Sequence, residues 1–350
     1  MKALARALRA VSSRKSILVL ALVATSPALA ERRLALVVGQ HAYPAAPLAT
    51  AANDAGLVAE SLRAAGFEVT GVRDADQSTL RQALRDFTGA ASQAGQDSVT
   101  FVYLAGRGLQ FEGENYFAPV DARISRDVDV PSEAVRLSDF TRAFQNIPGK
   151  ARFFVLDAAR VNPFPRGGQP IAGGLAMVEA APQTLIAFNA APGTAAPDEK
   201  GPYGVYATAL AETLREGGVP ADQMFERVRL KVADVTRGAQ APWHVSAMKQ
   251  QFTLLERAPG APALPPLPGE RTGSTSTPAQ AFATAVRRDT IPAYQNFIRV
   301  YPQDPLAKRA RAELAARREA ATWAGSVRAD KPEAYWTYLR RYPKGPHAAD

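Results

Sequence analysis

Two short apolar runs of the chain stop at small residues and an arginine, and these stops are the places where chemistry is expected. The first run, 98–106, leads to Arg107, and the second, 151–158, leads to Ala159 and Arg160. Both runs are rich in β-branched and aromatic residues and are too short for an ordinary helix, so they predict buried strands. Ligands of open α/β sheets bind beyond the carboxyl ends of parallel strands. Arg107 and Ala159 therefore lie where a reactive group would be expected, although neither side chain is a usual base or nucleophile.

The composition excludes several kinds of chemistry. The 350 residues contain no cysteine and only three histidines, His41, His244 and His347. Disulfides, thiolate metal sites and cysteine nucleophiles are therefore excluded. A histidine metal site or proton relay would have to use one or more of these three histidines. The sequence also lacks the GxxxxGK phosphate loop, the GxSxG elbow and the HExxH zinc motif. We expect neither a cofactor nor a metal.

Strands and helices alternate along the main part of the chain, which predicts an α/β fold: a mostly parallel sheet with helices on both faces. The predicted strands are 33–38, 67–72, 99–104, 151–157, 184–188 and an edge strand at 251–255. The predicted helices are 53–65, 77–93, 138–146, 203–216 and 221–236, with a hairpin at 111–119 and a mobile Gly-rich loop at 170–179.

Several short motifs within this part of the chain match the motifs of a known family in their order and spacing. They are Leu36-Val-Val-Gly39, Asn53-Asp54-Ala55, Tyr103-Leu-Ala-Gly-Arg-Gly108, Asn115-Tyr116, Leu156-Asp-Ala-Ala-Arg160 and Asn162-Pro163-Phe164. Together they resemble a bacterial caspase-like peptidase domain of the metacaspase and paracaspase kind, over residues 32–255. The resemblance implies that fold and a cysteine peptidase mechanism. In that family a His-Gly follows the third strand and an Asp-Ala-Cys-Arg follows the fourth, and the histidine deprotonates or orients the cysteine that attacks a peptide carbonyl.

The sequence departs from this family at each position that the mechanism needs. Arg107 occupies the histidine position and Ala159 the cysteine position, 52 residues apart, which agrees with the family's spacing. Val161 stands where relatives that cleave after basic residues often have an acid. We therefore predict a pseudo-peptidase that binds a peptide or protein partner. The alternatives are a hydrolase that has rebuilt its site, for example from His41 with a nearby Ser or Thr, and a purely architectural scaffold.

Arg107 itself has two interpretations. It could act with Arg160 as a hook for a partner's carboxylate. It could instead pair with Asp157 or Asp54 and fill the vacated cavity, since a buried guanidinium needs a carboxylate partner. Asp157 is expected to anchor its loop by hydrogen bonds. The candidate binding residues are therefore Arg107, Asp157, Arg160 and Val161.

The first 30 residues have the pattern of a secretory signal peptide. Five basic residues precede the apolar run 17–24, and Ala28-Leu-Ala30 follows Pro27. The apolar stretch is short for a bilayer span, so we expect cleavage after Ala30 rather than a membrane anchor, and a periplasmic or secreted protein without a stable transmembrane span. The caspase-like domain is then expected at 31–258.

A Pro-, Gly-, Ser- and Thr-rich linker at 259–280 leads to a helical repeat module at 281–350. The module consists of two helical-hairpin units that match at a spacing of 41 residues, and the second is incomplete. We expect it to fray or to rely on a partner. Residues 278–350 carry 13 basic and 7 acidic residues, whereas 31–277 carry 24 and 26. This distribution argues against nucleic-acid binding and allows the basic tail to hold an acidic surface of the cell envelope.

Overall fold

A six-stranded sheet forms the centre of the computed structural model, which describes residues 31–164, 168, 171, 174–197, 199, 201–267 and 277–348. The strands are β1 Arg33–Gly39, β2 Glu68–Arg73, β3 Val99–Ala105, β4 Gly108–Phe111, β5 Glu114–Phe117, β6 Val135–Arg136, β7 Ala151–Asp157, β8 Thr184–Phe188 and β9 Trp243–Ser246. The helices are α1 Ala51–Ala64, α2 Gln77–Ser92, α3 Val130–Glu133, α4 Leu137–Gln145, α5 Val205–Glu216, α6 Ala221–Val235, α7 Pro278–Arg288, α8 Ile291–Val300, α9 Pro305–Ala329 and α10 Pro332–Arg341. The predicted signal peptide lies outside the described residues.

The strands of the central sheet run in the order β2-β1-β3-β7-β8-β9. Every neighbouring pair is parallel except β8 and β9, which are antiparallel. β3 and β7 lie side by side in full register, so that Ala105 is opposite Asp157 at their carboxyl ends. The predicted α/β class with a mostly parallel sheet is confirmed. The strand β4, the strand β5 and the short β6 form a separate antiparallel sheet.

Helices cover both faces of the central sheet, which explains why its middle strands are buried along their whole length. Phe101 and Tyr103 of β3 belong to one apolar cluster with residues of α1, α5 and α6. Val102 and Leu104, the alternate residues of the same strand, belong to a second cluster with residues of α2 and α4. The sheet therefore has an apolar core on each of its two faces.

Two predictions about the chain after β7 need correction. The edge strand is Trp243–Ser246 rather than 251–255, where Thr253 makes only an isolated bridge to Pro220. The described part of the predicted mobile loop is anchored, because Asn115 both donates to and accepts from the backbone of Ala176. Leu175 beside it is buried in the core.

The C-terminal helices α7–α10 contain two aspartates in the same backbone conformation, each at the end of a helix. Asp289 and Asp330, 41 residues apart, both adopt the left-handed conformation at a helix end, with φ of 47° and 44°. In each unit a tyrosine hydroxyl donates to this aspartate, Tyr294 to Asp289 at 2.7 Å and Tyr335 to Asp330 at 3.1 Å. Helix α9 is 25 residues long and links the two units.

These helices belong to the same compact unit as the sheet, Glu31–Asp350. Leu230 and Ala233 of α6 pack against the apolar cluster that α7, α8 and α9 form. The first helices of the C-terminal segment are therefore packed on a helix of the sheet domain. Among the described residues, no helix combines the length and hydrophobicity that a membrane crossing requires.

Candidate functional site

The candidate site lies at the carboxyl ends of β3 and β7, where the two following loops are joined through their backbones. Gly106 N donates to Asp157 O at 3.2 Å, and Gly108 N donates to Ala158 O at 2.7 Å. A Cβ atom at position 108 would lie 2.9 Å from the Ala158 carbonyl oxygen and 2.8 Å from Leu175 Cδ2. Only glycine allows this approach. The two positions that the sequence singled out are thus brought together by the fold.

Arg107 fills the space between the loops. Its guanidinium donates to the carbonyl oxygen of Ala46 from Nη2 at 2.8 Å and to that of Val161 from Nη1 at 2.9 Å. The group lies over the ring of Tyr43, with Cζ 5.6 Å from the ring centroid, and the residue is 1% exposed. The Tyr43 hydroxyl accepts from Arg107 N and donates to Ala118 O. Arg107 therefore ties the loop after β1 to the loop after β7.

Asp157 is held by partners other than Arg107. Its Oδ1 accepts from Arg160 Nη2 at 2.6 Å, and its Oδ2 accepts from the Tyr103 hydroxyl at 2.8 Å. Asp157 and Arg160 are both buried. The carboxylate pairing that the sequence suggested for Arg107 is thus made by Arg160 at this aspartate, and Asp157 anchors its loop through a tyrosine and an arginine.

A second buried carboxyl, Asp54 at the start of α1, lies close enough to Asp157 to feel its charge. Its Oδ1 accepts from Gly204 N at 2.7 Å, and its Oδ2 has no hydrogen-bond partner among the described residues. Burial, followed by the negative charge of Asp157, raises the pKa of Asp54 to about 7. Tyr206 is also buried, and the charge of Asp157 acts on its hydroxyl. Burial, followed by that charge, raises the pKa of Tyr206 well above the ordinary value. This cluster can hold a proton on Asp54 near neutrality.

Ala159 and Val161 differ sharply in exposure. Ala159 is buried, with its N donating to Asn189 Oδ1 at 2.9 Å and its carbonyl oxygen accepting from Ala196 N at 2.8 Å. The side chain of Val161 is directed outward, and the residue is 58% exposed. Among the described residues, Val161 is therefore the one candidate binding residue whose side chain is exposed.

His41 is fixed in the loop after β1. Its Nδ1 lies 2.5 Å from the carbonyl oxygen of Leu48, so Nδ1 carries the proton of the neutral ring. Its backbone N donates to Asp74 Oδ1 at 2.7 Å. No cluster of three or more metal-ligating side chains of the His, Cys, Asp and Glu types occurs in the part of the chain that the structure describes.

Sequence reasoning missed the two tyrosines that organise the site. Tyr43 and Tyr103 are buried polar aromatics, and a buried tyrosine hydroxyl usually has a hydrogen-bond partner. Tyr103 sits inside an apolar strand two residues before its end, which is a usable signal. It could have been paired with Asp157 once β3 and β7 were placed side by side.

A six-stranded, mostly parallel sheet with a polar cluster at the ends of two adjacent central strands places the chain in the caspase-like class of α/β proteins. The family model of the peptidase C14 caspase domain matches residues 32–253, and the chain belongs to this family. The resemblance found in the sequence motifs is thereby confirmed. A comparison with curated proteins finds no match.

Proposed function

We propose that this caspase-domain protein does not cleave peptides and instead binds a peptide or protein partner. The observation that carries the proposal is the state of the two strand ends, where Arg107 is buried and Ala159 has no reactive group. By motif, these are the positions of the family's histidine and cysteine.

Chemistry supports the loss of activity. A cysteine peptidase needs a thiolate, and the chain contains no cysteine. A guanidinium carries no lone pair that can accept a proton near neutrality, so it cannot serve as a general base. Arg107 also occupies the space between the loops and donates hydrogen bonds to the carbonyl oxygens of Ala46 and Val161. A side chain so placed supports the loops rather than a reaction.

Exposed apolar side chains on the loops at this edge of the sheet support a binding role. Val161 and Met177 lie on the chain between β7 and β8, and Tyr203 lies just before α5. Exposed apolar and aromatic residues on loops held by a rigid scaffold are typical of protein interaction sites. The N-terminal sequence pattern supports a location outside the cytoplasm, and the partner would then be a component of the cell envelope or of the medium.

The experiment that tests this function uses fluorogenic peptides with Arg, Lys or Asp before the scissile bond. We expect no turnover by the natural chain. We also expect none after Arg107→His combined with Ala159→Cys, because Val161 supplies no acid for a basic substrate and the shorter histidine cannot reach both Ala46 and Val161. Only the addition of Val161→Asp is expected to allow cleavage after Arg or Lys.

One result would contradict the proposal, and a second would contradict the role given to Val161. Turnover by the natural chain that survives Arg107→Ala but is lost after His41→Ala would identify a hydrolase with a rebuilt site. Appreciable cleavage of basic substrates by the double variant would show that Val161 does not limit the site. Thermal unfolding of each variant is the control that separates loss of fold from loss of chemistry.

A further inference from the structure

A cleft opens to the surface between α2 and the segment that contains α3, β6 and α4. Its volume is about 490 Å³. Its floor consists of Leu84, Val135 and Phe140, which are all buried in the apolar core on this face of the sheet. Binding pockets of proteins span about 300 to 1,000 Å³ and are mostly apolar. The cleft therefore has the size and the floor of a site for one or two large side chains.

Aromatic packing between the two walls keeps the cleft formed. Phe87 of α2 stacks on Phe144 of α4 with 6.3 Å between ring centroids, and Phe140 stacks on Phe144 at 5.7 Å. At the rim, the lining includes Thr88 of α2 and the exposed Ala143 of α4. These short side chains leave the space over the floor open, so the cleft exists before anything binds.

Three exposed arginines line the cleft around this floor. Arg81 and Arg85 lie one turn apart on α2, and Arg136 of β6 belongs to the other wall. Arg85 Nη2 donates to the side-chain oxygen of Gln82 at 2.6 Å. Arg136 lies over the ring of Tyr116, with Cζ 5.5 Å from the ring centroid. Two of the three guanidinium groups are thus oriented by neighbours that leave their charge in place.

The lining carries more positive than negative charge. Its acidic residue, Asp139, pairs with Arg142 at 2.5 Å, and Arg142 is not part of the lining. Among the residues that the structure describes, none of the three arginines of the lining forms an ion pair with a carboxylate. Like charges four residues apart on a helix, as at Arg81 and Arg85, repel each other. A bound anion would relieve this repulsion.

We infer that this cleft binds an acidic segment of a partner protein, with an aromatic side chain on the apolar floor and carboxylates on the arginines. A guanidinium can pair with a carboxylate through two parallel hydrogen bonds, and arginine clusters are a recurring means of recognising acidic motifs. Nucleic acid is a poor occupant, since residues 31–277 carry 24 basic and 26 acidic residues. The cleft shares no residue with the site at the ends of β3 and β7, so it adds a second surface to the proposed function.

The test uses the natural chain and the fluorescein-labelled peptide Gly-Asp-Glu-Phe-Glu-Asp-Gly, with binding followed by fluorescence anisotropy. We expect saturable binding that Arg81→Glu and Arg85→Glu each weaken about tenfold. A peptide with lysine at the four acidic positions should bind only the chain that carries both substitutions. Serine in place of the peptide's phenylalanine should weaken binding about tenfold, because the apolar floor then stays empty. Arg63→Glu is the matched control, since Arg63 is an exposed arginine in the last turn of α1, and it should leave the affinity unchanged.

Absence of saturable binding, or equal weakening by Arg85→Glu and Arg63→Glu, would overturn the inference. So would equal affinity of the phenylalanine and serine peptides, together with their displacement by inorganic phosphate, because the cleft would then attract free anions rather than a peptide. Thermal unfolding of each variant is the control for loss of fold. These readouts depend neither on peptidase activity nor on residues at the strand ends, so the inference stands or falls separately from the proposed function.

Discussion

At the scale of single residues, Asp54 has the most informative electrostatics of the site. Its carboxyl is buried beside Asp157, and burial followed by that neighbouring charge raises its pKa from 3.8 to about 7. In the unfolded chain the pKa returns to the lower value, so folding takes up a proton between these two pH values. Stability from this group is therefore fully present below about pH 4 and is lost as the pH rises to about 7.

We predict that Asp54→Asn stabilises the protein above neutral pH. The amide cannot ionise and can still accept from Gly204 N, so the variant avoids burying a charge next to Asp157. The gain should be about 1 to 4 kcal/mol at pH 8 and should shrink toward zero near pH 4. Urea unfolding of both proteins from pH 4 to 8 measures this difference, in which the titration of groups distant from Asp54 cancels. A difference that does not change with pH would show that Asp54 is ionised throughout.

The features of the site that depend on the type of side chain could be predicted from the sequence. The strand ends, the buried Asp157 and the polar partner three residues after it are visible in the motif Leu156–Arg160. Two hydrogen-bond acceptors of Arg107 are not visible, because they are the backbone carbonyl groups of Ala46 and Val161. Every residue has such a group, so only the folded loops select these two.

At the scale of elements, the edge strand shows where a prediction from alternating polarity fails. Residues 251–255 alternate in polarity as a strand would, and Phe252 and Leu254 are indeed buried in the core. The sheet edge is nevertheless Trp243–Ser246, which pairs with β8 in antiparallel register. Alternation reports which residues are buried, whereas membership of a sheet depends on a hydrogen-bonding partner far away in sequence. The buried strands β3 and β7 were predicted closely because a continuous apolar run needs no such information.

The repeat offers a matched pair of substitutions at the helix ends. Burial alone would raise the pKa of Asp289, but the charges of Arg229 and Arg317 hold it below the ordinary value. We predict that Asp289→Asn destabilises the chain by about 3 kcal/mol, because it removes the buried counter-charge of Arg229 and one of the two carboxylates, Asp289 and Glu313, that pair with Arg317. Asparagine tolerates the left-handed backbone conformation, so backbone strain does not contribute.

Asp330→Asn is the control for this substitution. It changes the same residue type in the same backbone conformation one repeat later, at an exposed site. We expect a change in the free energy of unfolding within about 0.5 kcal/mol. Equal effects of the two substitutions in urea unfolding would mean that the aspartates act only through helix capping, and not through the arginines.

At the scale of the whole molecule, the C-terminal helices and the sheet domain share buried polar contacts as well as an apolar surface. Arg229 of α6 is buried and donates to the carbonyl oxygens of Pro242, Val286 and Arg287. At the other end of the helices, Gln110 of β4 hydrogen-bonds to the ring of His347. A chain that ended near Pro259 would lack α7, so Arg229 would lose the two carbonyl acceptors that this helix provides. A partner search that compares the natural chain with such a truncated form would therefore confound lost binding with lost stability.

We predict that the helices and the sheet unfold together. The three tryptophans allow a direct measurement, since Trp243 lies in β9 and Trp323 in α9. In two variants that keep only one of these, fluorescence should give the same urea midpoint, because a chain whose parts share buried contacts unfolds in one step. Phe297→Ala, which removes a buried ring from α8, should lower both midpoints by the same amount and cost about 3 to 5 kcal/mol. If only the Trp323 signal responds, the helices fold independently of the sheet.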